Sequence, residues 1–167
     1  MIRRAERQDI PQLMEIYNEA ILHTTATFDT ELKDIEERTR WYEAHMGRYV
    51  LFVCEEDGMA VGYASLSRYR EKDAFDRAVE LSVYIHRDYR GRGIGRRLME
   101  ETLAWASRCE GITTVISLIT SENTTSIHLH EALGFSYCGQ IRNAGEKFAR
   151  HLHLNAYQII YERGLEL

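Results

Sequence analysis

Val79-Glu80-Leu81-Ser82-Val83-Tyr84-Ile85, followed by Arg90-Gly91-Arg92-Gly93-Ile94-Gly95, is the most informative stretch of the chain. The first part alternates aliphatic residues with polar ones and a tyrosine, which predicts a strand over 78–85. Alternation puts Glu80, Ser82 and Tyr84 on one face and Val79, Leu81, Val83 and Ile85 on the other. The second part reads as a glycine-rich turn opening a helix that ends near Cys109, with Leu98, Met99, Thr102, Leu103 and Ala106 as its buried stripe. Glycines let successive backbone N–H groups curl around one anion, and the helix dipole adds positive potential there, so a diphosphate is the natural ligand. Spacing excludes two other phosphate motifs: G-x-G-x-x-G would need glycine where Arg96 stands, and the P-loop fails because Arg96 and Arg97 follow Gly95. The pattern that fits is R-x-x-G-x-G, from Arg90 to Gly95.

Working outward, Asp9 is expected to cap a helix that carries Pro11 in its first turn and Leu13, Ile16, Tyr17, Ala20 and Ile21 on its apolar face. Residues 24–29 read as a loop, and Asp34 with Glu37 forms a capping box for a second helix reaching about His45. Strands are predicted over 49–55 and 59–67 around an Asp57-Gly58 turn, then at 113–120, 135–141 and 152–161. Residues 68–77 read as a loop. Asn123 is placed as the N-cap of a helix that closes at Gly134. After the two N-terminal helices the order is β-β-β-α-β-α-β-β. Hairpins mixed with crossovers predict an α/β (α+β) fold, a mixed sheet flanked by helices.

The chain has 167 residues, which at roughly 150 per domain predicts a single domain over 1–167. With 44% hydrophobic and 28% charged residues it is expected to be globular. No apolar run reaches the length of a membrane helix, no signal peptide is expected, and Cys54, Cys109 and Cys138 suit free thiols in a reducing cytosol. The net charge of −5 argues against a general nucleic-acid partner. Arg87, Arg90, Arg92, Arg96 and Arg97 form a local basic island opposed there by Asp88, which suggests a compact anionic ligand. No metal site is expected: His128 and His130 point apart on a helix, and His151 and His153 lack a third ligand.

R-x-x-G-x-G after such a strand resembles the coenzyme A pyrophosphate loop of the GNAT superfamily of N-acetyltransferases. Ile16-Tyr17-Asn18, TTATFD (24–29), GYASLS (62–67), Arg70-Glu71-Lys72, SIHLHEALGF (126–135) and GEKFAR (145–150) resemble the phosphinothricin and methionine sulfoximine acetyltransferases over nearly the whole chain. The resemblance implies a mostly antiparallel, twisted sheet with a splay at its centre. It implies acetyl-CoA as co-substrate, with the backbone of Val83, Tyr84 and Ile85 on the pantetheine arm. Arg90, Gly91, Arg92, Gly93, Ile94, Gly95 and Arg96 would lie around the diphosphate, and Asn123 and Ser126 beside the acetyl end. A cytoplasmic homodimer is the default it implies.

Acetyl transfer to an amine needs a base for the ammonium, donors for the developing oxyanion and a proton for the leaving thiolate. A carboxylate inside an apolar strand costs free energy unless it is paired or used. The family places its base at Glu80. His130 stands where many superfamily members carry a proton-donating tyrosine, and Tyr84 is a further donor. A backbone N–H of the same strand is the expected oxyanion donor. The acceptor is expected to be a small amino-acid analogue held by Arg70, Lys72 and Lys147, with Glu71, Leu81 and Ser82 nearby and Phe28 and Tyr69 as walls. The alternatives are another amine class (polyamine, aminoglycoside or protein N-terminus) and a non-catalytic acyl-CoA sensor.

Overall fold

The computed structural model describes residues 1–163. These residues form one sheet of seven strands: β1 (Ile2–Arg4), β2 (Leu51–Glu56), β3 (Met59–Arg68), β4 (Ala78–Ile85), β5 (Thr114–Thr120), β6 (Ser136–Lys147) and β7 (Arg150–Ile160), in the order β1-β2-β3-β4-β5-β7-β6. Around it lie α1 (Ile10–His23), α2 (Ile35–Glu43), α3 (Ile94–Arg108) and α4 (Thr124–Ala132). Every neighbouring pair of strands is antiparallel except β4 and β5.

Period-2 alternation assigns the two faces of the sheet to two apolar layers. On one face Val79 and Leu81 of β4 join Leu98, Met99 and Ala106 of α3 and Val115 of β5. On the other, Leu13 and Ile16 of α1 pack on Leu51, Val53 and Tyr63, with Trp41 of α2 and Tyr84 against them. Glu80, Ser82 and Tyr84 therefore face α1 and α2, as the alternation predicts.

The parallel pair is short. Ala78, Val79 and Glu80 face Thr114, Val115 and Ile116, and there the pairing ends. Beyond it Leu81–Ile85 remains paired with β3, and Ser117–Thr120 with β7, but not with each other. The central splay is thus present.

Three local readings change. β1 has no strand signal in the sequence: three residues gain their strand geometry by pairing with Phe52–Cys54. Asp9 makes no side-chain cap to α1. Its buried carboxylate closes the preceding 3₁₀ turn by accepting from the Glu6 N–H at 2.7 Å, and it takes a fork of bonds from Arg3 at 2.8 and 2.9 Å. Finally, β6 and β7 run on to a tight hairpin at Lys147 and Arg150, well beyond the strands read from sequence.

Burial works against the Asp9 charge, but the Arg3 guanidinium and the Glu6 N–H more than offset it and hold the carboxyl below its ordinary 3.8. Asp9→Asn is expected to cost about 2 kcal/mol, the scale of bonds to a charged group. A carboxyl with a lowered folded pKa stabilises fully above the unfolded pKa and loses that contribution as pH falls through the folded value. Urea midpoints should therefore differ most near neutrality and converge upon acidification below about pH 4.

Candidate active site

Two cavities meet at β4. The first, about 380 Å³, lies between α1, α2 and the sheet and is lined by Tyr17, Asp29, Arg38, Trp41, Tyr63, Ser65 and Ser67, among others. The second is a slot of about 50 Å³ that occupies the splay: Leu81–Tyr84 form one wall, Ser117–Thr120 the other, and Asn123, Ser126 and His130 close the end. Ser82 and Tyr84 line both. A molecule in the slot and a molecule in the larger cavity would meet over these two side chains.

Glu80 continues the same row, directly across from Ser67. Burial pushes its carboxyl above the usual 4.5, and nearby Arg70 pulls it part of the way back. A half-buried carboxylate with a raised pKa is suited to take a proton at neutral pH. Tyr84 stays a phenol, because burial raises its pKa far above 10. Its hydroxyl donates to the Ala26 carbonyl across a long 3.4 Å bond.

His130 is buried, with Nδ1 at 2.7 Å from the Ser126 carbonyl and Nε2 at 2.9 Å from Ser117 Oγ. A carbonyl only accepts, so Nδ1 carries the ring proton. Burial also holds the ring pKa below 6.5. In the neutral ring Nε2 is then the acceptor for the Ser117 hydroxyl and has no proton to give. Ser117, which the sequence reading did not single out, is the hydroxyl that His130 orients at the slot. Asn123 caps α4, its Oδ1 accepting from Ser126 N at 3.2 Å.

Below the slot, Gly91 and Gly93 have φ of +76° and +75°, the left-handed region the turn needs. Gly93 precedes α3, whose first-turn N–H groups have no partners within the helix. The arginine island is partly neutralised: Arg90 pairs with Glu19 at 2.7 Å, Arg96 with Glu100 at 2.8 Å and Arg97 with Glu56 at 3.6 Å. Arg92 lies against Tyr89 and at 3.9 Å from Glu56. These pairs are exposed and weak, so the guanidiniums can turn to a diphosphate.

The expected acceptor residues separate. Arg70 is exposed over the Tyr69 ring, Glu71 reaches Arg68 at 3.8 Å, and Lys72 precedes a 3₁₀ turn at Asp73–Phe75. None of the three lines the larger cavity. Lys147 is buried, its ammonium donating to the Thr24 and Thr27 carbonyls at 2.8 and 2.9 Å, so it braces the 24–29 loop. Phe28 lies flat on Gly145 of β6, where an added Cβ would sit 2.6 Å from the ring. Val83 and Ile85 turn their side chains to the α3 core; of the two, Val83 also forms part of the slot wall. Apart from Ser82 and Tyr84, the polar lining of the large cavity comes from residues that the sequence reading did not assign to a site, Arg38, Asp29, Tyr63, Ser65 and Ser67 among them.

The sequence pattern of the acetyltransferase (GNAT) family matches residues 10–135. The chain belongs to the GNAT acetyltransferase family. It is 40% identical, over 95% of its length and 92% of the relative's, to an L-methionine sulfoximine/L-methionine sulfone acetyltransferase of Salmonella typhimurium. It is 39% identical, with the same coverage, to the L-amino acid N-acyltransferase MnaT of Escherichia coli. A solved GNAT structure from Salmonella typhimurium, a putative acetyltransferase with its cofactor acetyl-CoA, superposes with a TM-score of 0.95 at 38% identity, covering 100% of this chain and 96% of that one. The GNAT fold and an acetyl-CoA-dependent N-acetyltransferase activity follow for this chain. Its splay and glycine turn are the parts of the GNAT site that fit the co-substrate: an open strand edge for an extended arm and left-handed glycines ahead of free helix N–H groups.

Proposed function

We propose that this enzyme transfers acetyl from acetyl-CoA to the α-amine of a small amino-acid analogue of the methionine sulfoximine, methionine sulfone or phosphinothricin type. The observation that carries this reading is the meeting of a narrow slot and a polar cavity of about 380 Å³ at Ser82 and Tyr84. In direct attack, Glu80 takes the proton that keeps the amine from acting as a nucleophile. A backbone N–H of β4 in the splay stabilises the oxyanion forming on the thioester carbonyl. The Tyr84 hydroxyl donates to the leaving sulfur, while His130 keeps Ser117 turned to the slot. Gly91–Arg96 holds the diphosphate, with Asn123 and Ser126 beside the acetyl end. Arg70 acts on Glu80 through its charge.

The reading covers 1–167 as one catalytic domain that works in the cytoplasm to detoxify such analogues. A homodimer is part of it, supported by exposed Tyr137 and Ile141 on the edge strand β6. Thiol release from acetyl-CoA, followed with a panel of amines, tests it. Methionine sulfone, methionine sulfoximine and phosphinothricin should each give a higher kcat/KM than spermidine or an aminoglycoside. A clear preference for spermidine over every amino-acid analogue would overturn the acceptor class.

A further inference from the structure

Arg38 is a buried cation whose donors the fold leaves mostly unused. It sits on α2 with 5% of its surface exposed and lines the larger cavity. Its guanidinium lies 3.6 Å above the Trp41 ring and 4.7 Å from that of Tyr17. These rings offset part of the charge but accept no more than a weak bond from its N–H groups. Among the described residues its one hydrogen bond is Nη2 to Tyr63 Oη at 3.2 Å, and Nε is buried without a partner. Arginine brings five N–H donors in a planar fork. A buried, unpaired charge is costly, and folds keep one where a counter-charge arrives.

The carboxylates nearby are committed elsewhere. Asp29 accepts from the Tyr17 hydroxyl and lies 3.8 Å from the Lys33 ammonium. Glu37 closes the α2 capping box on the Asp34 N–H and stands 4.0 Å from Lys33. No carboxylate pairs with Arg38 among the described residues.

The position of Arg38 selects which anion fits. Tyr63, its hydrogen-bond partner, is directly across from Tyr84 on the neighbouring strand. Tyr84 is at the junction of cavity and slot, where the attacking amine must stand. In an α-amino acid the carboxylate is separated from the amine by a single carbon. We propose that Arg38 is the acceptor-binding residue that takes the α-carboxylate of the substrate, through its planar fork, from within the aromatic enclosure of Tyr17, Trp41 and Tyr63. The proposal rests on the amino-acid acceptor reading above and names the group that makes the site select amino acids over simple amines. It also moves the carboxylate grip from the exposed Arg70 and Lys72 to a buried guanidinium, where water screens it less.

The test compares L-methionine sulfone with its C-terminal amide, which keeps the amine and side chain but loses the negative charge. The wild-type enzyme should favour the acid on the order of 10- to 100-fold in kcat/KM, chiefly through KM. In Arg38→Met that ratio should collapse towards one, and Arg38→Lys should retain an intermediate preference. Because the ratio is taken within one protein, partial loss of folded enzyme cancels, and if the methionine variant fails to fold the lysine variant carries the comparison. Calorimetric titration with the acid and the amide supplies a readout independent of turnover. A wild-type enzyme indifferent to the amide, or variants that keep the full ratio in turnover and binding, would overturn the role of Arg38. Tight, Arg38-dependent binding of the acid without acetylation would instead support the anchor and sink the acceptor reading.

Discussion

Glu80→Gln is expected to lower turnover at neutral pH by on the order of 10²- to 10⁴-fold, the usual contribution of a general base, with acetyl-CoA affinity unchanged. Glutamine keeps the shape of the side chain and removes its negative charge and its ability to take a proton. Burial raises the Glu80 carboxyl above its ordinary 4.5, with Arg70 pulling it part of the way back. The acid limb of the wild-type kcat/KM profile should therefore lie above the ordinary carboxylate range. Activity should rise with pH as Glu80 loses its proton, and in the variant that limb should be absent. At high pH the acceptor amine is already free and the two enzymes should approach each other. A variant with wild-type turnover at pH 7 would make Glu80 structural.

The second large effect concerns Gly93. Its φ of +75° is one that a β-branched residue rarely adopts, and an added Cβ meets nothing within 4 Å. A branched side chain there would stand where a diphosphate held by this turn is expected to approach the backbone. Gly93→Val is therefore opposed twice: by backbone strain of about 1–3 kcal/mol and by a side chain entering the ligand's volume. Acetyl-CoA affinity should fall by tenfold or more in calorimetry, with a much smaller change in melting temperature. Unchanged affinity would remove the diphosphate from this turn.

What could be read from sequence and what could not divide along local and non-local lines. The Asp57-Gly58 hairpin was visible because that pair readily adopts positive φ, and the structure gives +50° and +78°. The hairpin between β6 and β7 turns through Phe148 and Ala149, also at positive φ, +53° and +55°. Neither residue is a turn former, so nothing local announced it. The same division runs through the site. The glycine turn and the strand face of Glu80, Ser82 and Tyr84 follow from spacing. Arg38 does not: Trp41 is three residues away on the same helix, but Tyr17 and Tyr63 come from α1 and β3. Sequence cannot distinguish a solvated guanidinium such as Arg70 from a buried one such as Arg38. The burial of Lys147 is hidden for the same reason, since its two carbonyl partners lie over a hundred positions away.

The short pairing of β4 with β5 bears on a hazard all sheets share. A bare strand edge is a template for any passing polypeptide, and proteins blunt such edges with charge, bulges or covering loops. Here two bare edges lie in the interior of the sheet, along Leu81–Tyr84 and Ser117–Thr120. The space between them is about 50 Å³ and is closed by α4 and by Ala26 of the neighbouring loop. So small a space favours a slender arm bearing amide groups over a second protein chain with its side chains. The small opening makes this unpaired backbone selective in what it admits, and the chain keeps an unfinished sheet without offering it to a neighbouring molecule.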